Sequence, residues 1–210
     1  MQSVTPSHRG RLFVVAAPSG TGKTSLVKAL MMQTPGLAFS VSHTTRPRRP
    51  NEVEGKDYHF VDRATFERMI TADEFLEHAS VFDNLYGTSR RAVEDALAAG
   101  HDLLAEIDWQ GAAQLRAKLP EAIDIFILPP SRADLETRLK VRGTDSAEVI
   151  ARRLNDSVTE LSHWREFRYV VVNDTFKHAL AELAAIVAGN GEQFSRDRPG
   201  IESFAAALLV

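Results

Sequence analysis

Residues 17–24 read Ala-Pro-Ser-Gly-Thr-Gly-Lys-Thr, between the apolar run Leu12–Ala16 and the amphipathic run Ser25–Gln33. The first run predicts a strand and the second a helix, so these residues form the turn between them. Gly22-Lys23-Thr24 falls at the helix mouth. A turn of this kind aims backbone N–H groups and the positive end of a helix dipole at one point, which suits a phosphate chain. Lys23 brings a mobile cation to the β- and γ-phosphates, and the Thr24 hydroxyl can ligate Mg²⁺. Ala17, Pro18, Ser19, Gly20, Thr21, Gly22, Lys23, Thr24 and Ser25 are therefore the candidate site for a nucleoside triphosphate. The general pattern has Gly where this chain has Ala17. Ala is the smallest residue that keeps an ordinary backbone, so Ala17 is expected at negative φ. Pro18 has no N–H, so the donors come from about Gly20 onward. A Gly/Ser turn that merely joins strand to helix is the competing reading, and the placement of Gly-Lys-Thr weighs against it.

Working outward, short apolar β-prone runs recur at Leu12–Ala16, Ala38–Val41, Leu103–Ile107, Ile123–Leu128 and Tyr169–Val172. Amphipathic stretches separate most of them: Ser25–Gln33, Arg90–Ala99, Gln110–Lys118, and Arg132–Leu161 with a break at Gly143. His178–Ala188 follows the last run. Continuous apolar strands alternating with helices predict an α/β fold, with a five-stranded parallel sheet covered on both faces. Residues 42–88 break the rhythm with Arg-Pro-Arg-Arg-Pro, strand-like pieces at Tyr58–Val61 and Phe75–Ala79, and a helix near Ala64–Thr71. They are expected to form an inserted α+β lobe. Residues 132–154 are rich in charge and read as a mobile flap. The core is then 10–41, 89–131 and 155–189. The remainder, 190–210, is a polar loop followed by an apolar tail helix at Ile201–Val210.

Length and composition bound the answer. At 210 residues, one core with smaller inserted lobes is expected. The formal charge is 25 − 28 = −3, so no global basic field recommends nucleic acid as a partner. Cys is absent, which agrees with a reducing compartment. Met1–Arg11 is polar and lacks an apolar h-region, so no secretory signal is expected. No apolar run approaches a membrane span. A soluble, cytoplasmic protein is expected, and a homo-oligomer is left open. His43, His59, His78 and His163 show no metal-ligand spacing and read as structural or surface residues. Trp109 and Trp164 read as packing residues.

A second constellation concerns the acceptor. Arg46, Arg48 and Arg49 are flanked by prolines, which stiffen the backbone and cut the entropy of presenting guanidinium groups. Arg suits bidentate phosphate contact, and Tyr58 and Tyr86 would complete a phosphate shell. A solvated basic loop is the alternative. Glu77 and Asp108 change the balance, because guanine offers adjacent donors, N1–H and the N2 amine, that adenine lacks. A buried acid would discriminate the bases, since a mismatch strands a buried polar group. An exposed strand-face acid is the alternative for Glu77. For Asp108 it is an N-cap of the helix from Gln110, and Asp108 can do both.

These residues carry a resemblance. Ser42-His43-Thr44-Thr45-Arg46, Glu52 through Tyr58, Tyr86-Gly87-Thr88-Ser89, Asp108-Trp109-Gln110-Gly111, Arg142-Gly143 and Val172-Asn173-Asp174 fall in the order and spacing of guanylate kinases. The chain resembles the bacterial branch from roughly Gly10 to Gly189. The resemblance implies ATP-dependent phosphorylation of GMP to GDP, with Mg²⁺ accompanying ATP, on a P-loop kinase core with a GMP-binding lobe at 42–88 and a helical lid at 132–154. It implies GMP-phosphate ligands at Arg46, Arg49, Tyr58 and Tyr86, guanine-side ligands at Ser42, Glu77, Thr88 and Asp108, and Gly87 among the GMP-binding residues. Arg138, Arg142 and Arg153 would be lid arginines, with Arg152 an alternative to Arg153. Asn173 would sit beside the ATP adenine, and Thr24 on the metal. Glu106 stands where many members carry Asp. Guanylate-kinase-like domains also serve as non-catalytic interaction modules, and other P-loop kinases phosphorylate adenylate or sugars. Lys23 argues against the first alternative, and Glu77 with Asp108 against the second.

Overall fold

The strand β1 (Leu12–Ala16) is buried at every position, which is why its sequence, Leu-Phe-Val-Val-Ala, shows no polar alternation. The computed structural model describes residues 8–81, 83–141 and 156–209. After β1 come α1 (Lys23–Gln33), β2 (Leu37–Phe39), β3 (His43–Thr44), β4 (His59–Phe60), α2 (Arg63–Thr71), β5 (Phe75–Val81) and β6 (Asn84–Ser89). They are followed by α3 (Arg90–Ala98), β7 (Asp102–Glu106), α4 (Trp109–Lys118), β8 (Ile123–Leu128) and α5 (Arg132–Val141). Helical residues 156–162, here α6, lead to β9 (Tyr169–Val172), α7 (Phe176–Val187) and α8 (Ile201–Leu209). A five-stranded sheet has the order β2-β7-β1-β8-β9, with β2–β7 and β8–β9 parallel. A four-stranded sheet has the order β4-β3-β6-β5; there β3 runs parallel to β4, and β6 antiparallel to both β3 and β5. The expected α/β architecture with a five-stranded parallel sheet is what forms.

Two compact units emerge, one drawn from Met1–Val14 and Gly36–Ala122, the other from Val15–Pro35 and Ile123–Val210. In the first, the rings of Phe66 on α2 and Phe75 on β5 stack at 4.5 Å, and both are buried. Each such side chain contributes about 1.5–3 kcal/mol by leaving water. Helix α4 is laced to β5: the Gln114 amide pairs with both the N–H and the carbonyl of His78. In the second unit, Leu26, Val27 and Leu30 of α1 and Ala179, Leu183, Ile186 and Val187 of α7 are buried, and the two helices pack together. Helix α8 buries Ile201, Ala205 and Leu208.

Three expectations change. The strand read at Ala38–Val41 is β2 at Leu37–Phe39, after which the chain starts the second sheet at His43. Gly36, at φ 89°, makes the turn that starts this strand early. The second correction is β6, which the sequence reading left unassigned. Asn-Leu-Tyr-Gly-Thr-Ser has no apolar run to mark it, and its strand form comes from ladders on both sides, to β3 and to β5. Third, helix α1 begins at Lys23, ahead of the amphipathic run. The flap expected at 132–154 is described only through α5, and residues 142–155, with Arg142, Arg152 and Arg153, lie outside the described residues.

Candidate active site

The loop between β1 and α1 is built from opposed backbone preferences. Ala17 keeps an ordinary negative φ, since Asp73 and Asp83 are the non-glycine residues at positive φ among those described. Gly20 and Gly22 both take φ 90°, a left-handed backbone at which a side chain is strained. The buried Thr21 closes the turn, its hydroxyl donating to the Pro18 carbonyl at 2.5 Å. From the side of β9, the buried Asn173 donates its amide to the Thr21 carbonyl at 2.6 Å. Arg138 on α5 donates to the same carbonyl at 3.2 Å and to the Asn173 carbonyl at 3.3 Å. Asn173 and Arg138 thus brace the loop. Glu160 on α6 accepts from the Ser19 N–H at 3.2 Å.

The mouth of α1 differs chemically from its neighbours. Asp62, Ser89, Asp108 and Thr175 each cap a helix with a side chain, for α2, α3, α4 and α7 in turn. At α1 the N-cap is Gly22, which has no side chain to offer. With no side chain at the cap, the helix dipole favours an anion at this first turn. Lys23 is half-buried at that turn, and Thr24 and Ser25 are exposed.

In the other unit, Arg46 is held from several sides. It donates to Glu52 at 2.6 Å and to the Pro47 carbonyl at 2.8 Å, with its guanidinium 5.4 Å from the Tyr58 ring centre. The Tyr58 and Tyr86 rings meet edge-on at 5.9 Å. Glu52 also accepts from the Arg49 N–H at 2.8 Å, while the Arg49 side chain stays exposed. The hydrogen bond from Arg46 holds the Glu52 carboxyl below its ordinary range, and burial pushes the Tyr58 hydroxyl up. Tyr58 is therefore a donor at neutral pH. The expected phosphate shell of Arg46, Arg49, Tyr58 and Tyr86 is brought to one region of the lobe.

Glu77 on β5 faces Thr88 on β6, and the Thr88 hydroxyl donates to its Oε1 at 2.6 Å. At 3% exposure it is no strand-face acid in solvent. Burial pushes its carboxyl up to about 7, and the nearby Asp108 charge adds to this, against the hydrogen bond from Thr88. Asp108 caps α4, accepting from the Gly111 N–H at 2.7 Å. Ser42 is buried just before β3, and Gly87 lies in β6 between His43 and His78. His43 and His59 stack at 4.7 Å, and burial pushes the His43 imidazole down, towards its neutral form. Three residues outside the sequence-derived set stand in these regions. Glu52, between the arginines and Tyr58, had a visible signal as the acid nearest the proline-bound basic loop. Gly111 was visible only as part of a motif. Glu160 lies 141 positions from Ser19, and nothing local marks it.

The family profile for guanylate kinase matches residues 9–190. The chain belongs to the guanylate kinase family. It is 54% identical over 206 residues to the guanylate kinase of Chromohalobacter salexigens, covering 98% of this chain and 96% of that one. It is 49% identical over 204 residues to the guanylate kinase of Escherichia coli K12, covering 96% and 99%. The crystal structure of guanylate kinase from Anaplasma phagocytophilum superposes with a TM-score of 0.72 at 32% identity, covering 99% of this chain and 100% of that one. As a guanylate kinase, the chain is an ATP-dependent GMP phosphotransferase. The interaction-module and other-acceptor readings are not favoured. Among the described residues no helix is long and apolar enough to cross a membrane.

Proposed function

We propose the following division of labour for transfer of the ATP γ-phosphoryl group to GMP, which yields ADP and GDP. Both reactants are anions, so the protein's contribution is neutralisation and alignment. Residues 17–25 cradle the triphosphate, and Lys23 neutralises the β- and γ-phosphates. Arg46, Arg49, Tyr58 and Tyr86 hold the GMP phosphate, with Glu52 fixing the Arg46 guanidinium. The acceptor oxygen needs no strong base, because the second phosphate pKa is about 6. Ser42, Glu77, Gly87, Thr88 and Asp108 form the guanine side. Residues 42–88 act as the GMP-binding lobe and 132–154 as the lid, which brings Arg138, Arg142 and Arg153 to the transferring group. Arg138 also braces the phosphate loop, as does Asn173, which serves beside the ATP adenine. The reaction is assigned to the cytoplasm, where ATP and GMP are at hand.

The residues present fit a magnesium ion that arrives with ATP. Thr24 offers a hard oxygen on the exposed first turn of α1. Among the described residues no group of three or more His, Asp or Glu holds a metal by itself, and Mg²⁺ is commonly bound through substrate phosphates. When bound, the ion supplies charge neutralisation on those phosphates.

The observation that carries the choice of acceptor is the buried Glu77 carboxyl, which accepts one hydrogen bond from Thr88 and keeps acceptor capacity for a ligand. Exchange of Glu77→Gln presents an amide donor to the guanine donors and leaves a buried N–H unpaired, at roughly 1–3 kcal/mol. The phosphate clamp is untouched. The expected result is a loss in kcat/KM for GMP of about tenfold or more with little change for AMP. An equal loss with both acceptors would mean that Glu77 serves the lobe and does not read the base.

A further inference from the structure

Glu77 is positioned from α4. Gln114 clamps both backbone groups of His78, the next residue, at 3.1 and 2.8 Å. Lys118 donates to the Phe75 carbonyl at 2.9 Å on the other side. Positions 111, 114 and 118 share one face of the helix, and at 111 that face meets the carboxylate itself. A Cβ placed on Gly111 would stand 2.4 Å from Glu77 Oε2 and 3.2 Å from Asp108 Oδ1. The Gly111 N–H meanwhile holds Asp108 Oδ1 at 2.7 Å.

Nothing in the backbone explains a glycine here. Gly111 lies within α4 and is not among the positive-φ glycines, and Ala is the better helix former. The contact with Glu77 explains it. With the strand fixed by Gln114 and Lys118, a methyl group at 111 displaces the tip of Glu77 and leaves β5 in place. The Thr88 hydroxyl, 2.6 Å from Oε1, then loses its partner or shifts with it.

We propose that Gly111 is a specificity-determining positioning residue, whose missing side chain admits the Glu77 carboxylate beside Asp108 so that the two acids present their acceptors together to the guanine edge. This rests on the reading that Glu77 contacts the base. The test compares the intact wild-type protein with Gly111→Ala, Glu77→Ala and the double variant, measuring KM for GMP, KM for ATP, use of AMP, and Tm. Gly111→Ala is expected to raise KM for GMP about tenfold or more, as for a misplaced buried acceptor. KM for ATP should stay within about twofold, and the variant should keep a single cooperative melting transition, since the helix preference for Ala offsets part of any loss of the Thr88 hydrogen bond. In the Glu77→Ala background the same change should add little, because the carboxylate that the methyl would overlap at 2.4 Å is gone. An unaltered KM for GMP, equal rises in both backgrounds, or loss of the cooperative melting transition in Gly111→Ala would overturn the proposal. If Glu77→Ala impairs GMP and AMP equally, base reading by Glu77 falls and the proposal falls with it. A guanine-specific defect in Glu77→Ala beside a normal Gly111→Ala overturns the proposal alone.

Discussion

At Glu77, burial and hydrogen bonding pull in opposite directions, and burial wins: the carboxyl sits at about 7, against an ordinary 4.5. Below about pH 4.5 the folded and unfolded chains are both protonated there. As pH rises towards 7 the unfolded chain ionises first, so this group's contribution to the stability of the ligand-free fold is lost across that window. Guanine reverses the preference, since its N1–H and N2 amine need acceptors. The kcat/KM for GMP should therefore rise through about pH 7. AMP carries the same titrating phosphate, so the GMP-to-AMP ratio isolates the base. That ratio is expected to climb several-fold from about pH 6 to about pH 8 and then level; a flat ratio would place Glu77 outside the recognition step. Lys23 gives the parallel case for ATP. It is half-buried at the mouth of α1, where its charge serves the ligand more than the core. Lys23→Ala should fold with an unchanged melting transition and lose at least about 10²-fold in turnover, the scale for losing a transition-state cation. Near-normal turnover in a folded variant would count against the phosphate-loop assignment.

Helix α4 has at its N-terminus a residue to which the proposed function gives a second role, recognition, beside its role in stability. Asp108 caps its N-terminus through the Gly111 N–H and also lies beside Glu77. The two roles separate by substitution. Asp108→Asn keeps a side-chain acceptor for the cap, so Tm should barely move while selectivity for GMP over AMP falls. Asp108→Ala loses the cap as well and should cost about 1 kcal/mol of stability besides. Equal stability in Asn and Ala variants by denaturant titration would show that the cap contributes little. The strand β6 illustrates what the sequence hid. Its residues, Asn-Leu-Tyr-Gly-Thr-Ser, include Tyr86, Gly87 and Thr88 of the proposed GMP site and lack the apolar pattern that marks a strand. The parallel strands were legible for the opposite reason: burial of β1 and β8 leaves near-continuous apolar runs. The turn between β1 and α1 was legible, down to the ordinary backbone of Ala17. Its brace by Asn173 and Arg138, at separations of 152 and 117 residues, was not, because no local pattern encodes a contact between residues so far apart in the chain.

Across the whole molecule, sequence and fold agree on a guanylate kinase, with the family profile spanning residues 9–190. The triphosphate loop and its braces belong to one compact unit, the arginine–tyrosine cluster and the buried acids to the other. In the proposed division of labour, the glycine-capped helix mouth serves the phosphate chain and the acid pair, with Glu77 buried, serves the base. The central claim is that this second chemistry selects guanine. The most direct test is an initial-rate coupled assay on the intact protein with Mg-ATP as donor and GMP, dGMP, IMP, AMP and CMP as acceptors. GMP is expected to exceed AMP and CMP by about 10²-fold or more in kcat/KM, since a site built for buried hydrogen bonds rejects bases that leave it unpaired. IMP, which keeps N1–H but lacks the N2 amine, should fall between. AMP or CMP turned over as well as GMP would contradict the account.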